Sequence, residues 1–207
     1  MLQGRCCRRL APSLALPPSG EVALDFGLGA EAEALREEVI AFLSKELTPE
    51  LRARADFSWD GHDPGFQREL AAAGLAYPHW PREYGGQERT PYESHAVAEE
   101  LARVGWTDYA IATTSMVAEA VMKFGSDEVK RDVLPRLARG EAVLSMGYTE
   151  PSAGSDVAAV STRAVCQPDG DWVIDGQKMF TSGAHLAQYV FLLTRTNPDV
   201  PKHRGLT

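Results

Sequence analysis

The chain has 207 residues, 44% of them hydrophobic, and a formal net charge of −8. That composition excludes a disordered chain and leaves room for one or two domains with a real core. The acidic balance argues against non-specific nucleic-acid binding, and no apolar run approaches the roughly 20 residues that span a bilayer.

The first segment, residues 1–24, carries Arg5, Arg8 and Arg9 with no acid before Glu21. An organelle-targeting peptide, a disordered extension and a mis-assigned start all fit this pattern. Cys6 and Cys7 are adjacent and Cys166 is alone, which gives neither a disulfide framework nor a zinc spacing and points to a reducing compartment. The five histidines are scattered without ligand spacing, so no metal site is expected. Gly27-Leu28-Gly29 lacks the third glycine and the strand–turn–helix context of a dinucleotide fingerprint.

From about residue 30 to 140 the pattern is helical. Leu35, Val39, Phe42, Leu43 and Leu47 recur at helical spacing. Asp63-Pro64 starts a helix with Phe66 and Leu70 on one face, and Thr90-Pro91-Tyr92-Glu93 is a capping box leading to Val97, Leu101 and Val104. A further helix from Asp108 to Phe124 is closed by Gly125 as C-cap. Ser126 caps a last one carrying Val129, Val133 and Leu137, ended by Gly140, with Pro135 predicting a kink or an early stop. The Ile111, Met116, Val121, Met122 stripe reads as ordinary core.

After Gly140 the period changes to alternation. Val143–Tyr148 reads as a strand, and Tyr189, Phe191 and Leu193 alternate as another strand requires. Pro168-Asp169-Gly170-Asp171 is a turn, and Asp175-Gly176 predicts a two-residue hairpin between Val173-Ile174 and Lys178-Met179-Phe180. Lys202–Thr207 reads as the lead into one more strand. A sheet stopped there would leave an unpaired edge, so a fragment or a truncated product is expected. The chain thus divides into residues 1–24, a helical domain over 25–141 and an incomplete β-domain over 142–207.

Two stretches carry chemistry. In Tyr148-Thr149-Glu150-Pro151-Ser152-Ala153-Gly154-Ser155-Asp156, Pro151 stiffens the chain, Gly154 permits close backbone approach, and Ser155 with neighbouring N–H groups can hold an anion. Taken bare, it is also a common kind of turn. Lys178-Met179-Phe180-Thr181-Ser182-Gly183 sets an aromatic beside hydroxyls, fit to stack on a flat ring and bond its edge, or to be a core Phe beside a polar loop. No Walker A motif, nucleophile elbow or HExxH occurs.

The run T-E-P-x-A-G-S-D, with D-G-Q-K-M at its distance, resembles the flavin-binding signature of the acyl-CoA dehydrogenase family. The resemblance covers residue 25 to the end, supported by Tyr84-Gly85-Gly86, Gly125-Ser126-Asp127-Glu128, Leu134-Pro135 and Gly140-Glu141. It implies an α+β chain, in which an all-helical bundle precedes an antiparallel β-barrel-like domain that stops before a C-terminal helical domain. It implies FAD as cofactor, acyl-CoA as substrate, electron-transfer flavoprotein as acceptor, and a homo- or hetero-oligomer. Met146, Tyr148 and Thr149 would lie along the flavin ring. Ser155 would bond the pyrophosphate or the substrate's pantetheine arm. Phe180 stands where the family usually has Trp, against one flavin face, and Ser182 stands for a Thr whose hydroxyl reaches flavin N5.

The reaction so implied is α,β-dehydrogenation. A carboxylate takes the Cα proton, the Cβ hydrogen leaves as hydride to N5, and hydrogen bonds to the thioester carbonyl stabilise the enolate-like charge. The family's catalytic Glu lies in the absent C-terminal domain, so no residue here is assigned as base; Glu150 belongs to the flavin loop. Alternatives are a non-catalytic subunit of a mixed complex, an acyl-CoA oxidase or flavin monooxygenase relative, and an inactive truncated product. Lys178–Ser182 and Phe191–Thr196 also resemble bacterial members acting on steroid-type thioesters. The expected location is the bacterial cytoplasm, or the mitochondrial matrix if residues 1–24 are a transit peptide.

Overall fold

The computed structural model describes residues 27–57 and 61–207. The segment expected at residues 1–24 lies outside the described residues. Six helices come first: α1 (Ala30–Glu46), α2 (Pro49–Phe57), α3 (Pro64–Ala72), α4 (Pro91–Arg103), α5 (Tyr109–Phe124) and α6 (Asp127–Ala138). Four short strands follow: β1 (Leu144–Gly147), β2 (Arg163–Cys166), β3 (Trp172–Asp175) and β4 (Tyr189–Leu192). Helical structure followed by β-structure is the order that the sequence pattern predicts.

The helix starts are made by side chains that satisfy orphan N–H groups. Asp63 accepts from the Phe66 N–H at 2.9 Å, Asp108 from Ile111 at 3.0 Å and Ser126 from Val129 at 3.3 Å. At α4 the capping box is complete: Thr90 and Glu93 bond each other's backbone N–H. α3, α4 and α6 end alike. Gly74, Gly105 and Gly140 adopt φ of 72°, 73° and 68°, and each following residue bonds back five positions, as Leu75 does to Leu70. This is the Schellman arrangement.

Two departures from the helical pattern have local causes. α6 runs through Pro135 to Ala138 with no early stop. Pro135 lies in the last turn, where Leu134 and Leu137 beside it are fully buried and hold the helix in place. Gly125 closes α5 with φ −65° rather than in the left-handed region. It is needed for space: a Cβ there would lie 2.6 Å from the Val121 carbonyl oxygen.

The helices bury two apolar clusters. One joins Leu35, Val39 and Leu43 of α1 to Phe66 and Leu70 of α3 and Val97 of α4. The other joins Val117 and Val121 of α5 to Val133, Leu134 and Leu137 of α6, with Tyr77, Trp80 and Leu144. Of the Met-bearing stripe, Val121 is buried and Ile111 and Met122 pack on this cluster, whereas Met116 is exposed.

β1 enters the second cluster and is fixed there by Thr114 of α5, which is fully buried. Its hydroxyl accepts from the Leu144 N–H at 2.8 Å and donates to the Leu144 carbonyl at 3.3 Å. β1 pairs with β4 in parallel, Met146 opposite Phe191. β2 and β3 form an antiparallel hairpin, Arg163 opposite Asp175, closed by the Pro168–Asp171 turn. Lys202–Arg204 is a 3-10 turn, after which Thr207 exchanges two backbone hydrogen bonds with Thr194.

The expected hairpin at Asp175-Gly176 does not form. β3 is turned by Pro168–Asp171 at its other end, and residues 177–181 are not strand. Gly176 has φ 154° and passes against Thr162, where a Cβ would lie 2.5 Å from the threonine Oγ1. The chain leaves the hairpin there because Lys178 is drawn toward a buried carboxylate on another loop.

Candidate functional site

β1 delivers Met146 and then Tyr148 to one place. Met146 is half-buried against the second cluster, and the Tyr148 ring lies 6.1 Å from that of Phe191, tilted by 35°. Thr149 follows, and Glu150 and Ala153 then exchange backbone hydrogen bonds of 2.8 and 3.1 Å around Pro151-Ser152. This tight turn projects Gly154-Ser155-Asp156 outward. Ser155 is exposed, and a Cβ on Gly154 would meet nothing within 4 Å. Gly154 is therefore not demanded by packing among the described residues.

Glu150 lies beneath that turn, 3% exposed. Its Oε2 accepts from the Ser161 N–H and hydroxyl, both at 2.7 Å. Its Oε1 accepts from the Thr162 N–H and the Lys178 ammonium, both at 2.8 Å. Burial alone would raise the carboxyl, but the donors from Lys178, Thr162 and Ser161 outweigh it and hold the group well below the usual carboxylate range. With both oxygens so engaged, Glu150 is a structural anion and not a proton acceptor.

Lys178 also donates to the Tyr148 carbonyl at 3.1 Å, and the Met179 N–H donates to the Thr149 carbonyl at 2.9 Å. The two motif-bearing stretches therefore lie side by side. Phe180 comes next, in the left-handed region at φ 56° and 82% exposed. A non-glycine residue there is uncommon and costs about 1–3 kcal/mol, and such strain clusters at functional positions. Ser182 follows half-buried, and a Cβ on Gly183 would lie 3.4 Å from that of Ala110, so this loop rests on the start of α5.

Of the six residues singled out by resemblance, Met146, Tyr148 and Thr149 form one continuous run, and Phe180 and Ser182 are tied to it through Met179. Ser155 stands apart, on the turn beyond Glu150. The hydroxyls of Thr149, Ser155 and Ser182 have no hydrogen-bond partner among the described residues. An exposed ring, three uncommitted hydroxyls and an open glycine fit a flat group with a polar edge and a phosphate arm.

Sequence reasoning missed the residues beneath this surface. Lys178 and Arg195 lie within motif stretches that give them no role of their own, and Ser161, Thr162 and Thr114 lie in no motif at all. Arg195 donates to the carbonyls of Val160 at 3.0 Å and Ala158 at 2.6 Å, so it holds the segment that follows Ser155. No sequence period marks such long-range donors. No group of three or more His, Cys, Asp or Glu able to hold a metal occurs among the described residues.

Residues 29–141 match the acyl-CoA dehydrogenase N-terminal domain and residues 145–207 the acyl-CoA dehydrogenase middle domain. Acyl-CoA dehydrogenase FadE26 of Mycobacterium tuberculosis is 38% identical over 186 residues, covering 86% of this chain and 46% of that protein. The solved Tcur3481-Tcur3483 steroid ACAD superposes with a TM-score of 0.76 at 37% identity, covering 88% of this chain and 48% of that one. The ChsE4-ChsE5 complex from Mycobacterium tuberculosis gives 0.75 at 36% identity, covering 88% and 46%. The chain spans about half the length of the curated relatives it matches.

Proposed function

The chain belongs to the acyl-CoA dehydrogenase family, and from that premise we propose that it supplies the FAD-holding half of an α,β-dehydrogenase of acyl-CoA thioesters. The observation that carries this reading is the Met179 N–H to Thr149 carbonyl bond, which sets Phe180 and Ser182 beside Tyr148 and Thr149. On this reading residues 25–141 are the helical domain and residues 142–207 the part of the β-domain that holds the cofactor.

Met146, Tyr148 and Thr149 would border the flavin ring, Phe180 would cover one face, and Ser182 would bond its polar edge. Ser155 would bond the pyrophosphate or the pantetheine arm of the substrate. When bound, FAD supplies the acceptor for the hydride that leaves Cβ. This chain's part is to hold, orient and desolvate. Glu150 is not the base for the Cα proton, because four donors occupy both its oxygens and lower its basicity. We assign that base to a carboxylate of the complementary half or of a partner subunit.

Two of the similar solved structures carry paired names, Tcur3481-Tcur3483 and ChsE4-ChsE5. They favour a mixed oligomer, and the steroid ACAD favours a bulky steroid-type acyl group. Among the described residues no helix is long and apolar enough to cross a membrane. The Mycobacterium tuberculosis relatives favour the bacterial cytoplasm over the mitochondrial matrix. Electron-transfer flavoprotein is the proposed acceptor.

The test is anaerobic addition of an acyl-CoA thioester to the protein assembled with its complementary half or partner subunit. Bleaching of the flavin's visible band, reversed by electron-transfer flavoprotein, is expected. Absence of bleaching overturns the reading. Rapid oxygen consumption on admitting air would replace it with the oxidase alternative.

A further inference from the structure

We infer that the buried Glu150–Lys178 pair is the positioning device that sets the two cofactor-facing loops against each other, an inference that rests on the flavin reading of those loops. The side chains are 2% and 10% exposed, and the ammonium lies 2.8 Å from the carboxylate. The same ammonium reaches the Tyr148 carbonyl at 3.1 Å. One cation thus binds the carboxylate below the first loop and the backbone within it. Its own chain neighbour, Met179, adds the backbone bond to Thr149.

The order along each loop makes the pair specific. Tyr148 and Thr149 are bonded by Lys178 and Met179, and Phe180 follows at once in its left-handed conformation. A residue at positive φ persists only where its surroundings over-determine it. Here the bonds at 178 and 179 fix the chain before Phe180, and the packing of Gly183 on Ala110 fixes it after.

Magnitudes favour position over stability as the pair's role. A buried ion pair gains little over apolar residues of the same volume, because the cost of desolvation offsets the attraction. An apolar pair could not bond the Tyr148 carbonyl, and that bond sets the register of one loop on the other. Glu150 would keep its bonds from Ser161 and Thr162 if Lys178 were lost, so the first loop would stay and the second would come free. Lys178 touches neither reacting atoms nor cofactor in this account; it acts through Tyr148, Thr149 and Phe180.

The experiment compares wild type, Lys178→Met and Lys178→Arg by two readouts. The first is amide hydrogen exchange at Met179 without cofactor, referred to the core amide of Leu134. The second is FAD affinity from flavin fluorescence. Lys178→Met should speed Met179 exchange about tenfold or more, the scale of a lost charge-assisted hydrogen bond, with a distinctly smaller rise at Leu134, because the carboxylate left buried without its cation also lowers overall stability. FAD affinity should fall by a similar factor, and Lys178→Arg should restore most of both. If Lys178→Met does not fold, Lys178→Gln, which is too short to reach both oxygens, gives the same comparison.

Met179 exchange that is unchanged, or that rises only in step with Leu134, overturns the proposal and leaves the pair as ordinary packing. The exchange readout contains no flavin. Faster Met179 exchange in a protein whose wild type binds no FAD would sustain the clamp and sink the flavin reading instead.

Discussion

Trp80→Ala should lower the unfolding free energy by about 3–5 kcal/mol, the range for removing a large aromatic from a packed core. Trp80 is 1% exposed and belongs to the cluster that joins α5 and α6 to β1. Its ring stacks on Tyr77 with centroids 4.1 Å apart and planes 19° from parallel. Its indole N–H has no partner among the described residues, so the loss would be transfer and cavity, not a broken hydrogen bond. Gly86 presses on the Trp80 backbone, where a Cβ would lie 2.0 Å from the carbonyl oxygen, so the site cannot collapse freely. Small domains have about 5–15 kcal/mol in hand, and this one change would remove a large part of it. Urea unfolding is the check, with Trp172→Ala as the comparison: Trp172 is 53% exposed and should cost less than about 0.5 kcal/mol. Equal midpoints for the two variants would contradict the placement of this core.

Gly176→Ala should cost about 2–4 kcal/mol, from a strained backbone together with a backbone clash. Gly176 has φ 154°, and an added Cβ would lie 2.5 Å from the Thr162 Oγ1 and 2.6 Å from its Cα. Thr162 cannot yield without consequence, because its N–H is one of the four donors to Glu150. The damage should therefore pass from the end of the hairpin to the loop beneath Tyr148. Gly170→Ala is the matched control. Gly170 also has positive φ, at 93°, but nothing among the described residues lies within 4 Å of the added Cβ. Thermal unfolding should place Gly176→Ala well below Gly170→Ala. A reversed order would refute the close passage of these two segments.

The helical half was legible because its signals are local. Asp63, Thr90, Asp108 and Ser126 cap helices within three residues of themselves, and Gly140 ends one by its own dihedral angle. The β-half was legible only in part. Asp175-Gly176 has the composition of a hairpin turn, but a turn needs two strands. Residues past Gly176 are claimed instead by Glu150, distant in sequence. The parallel pairing of β1 with β4 is likewise invisible to a two-residue period, which gives strands without partners. The site's outer residues came from family resemblance. The buried framework of Glu150, Lys178, Ser161 and Thr162 came from the structure, because hydrogen bonds between distant loops leave no spacing to read.

The most direct test of the central claim is an FAD titration of wild type and Phe180→Ala, followed by flavin fluorescence. The account predicts saturable binding to the wild-type chain, weakened about five- to tenfold when the stacking ring is removed. No saturable binding, or equal affinity for both proteins, would contradict it.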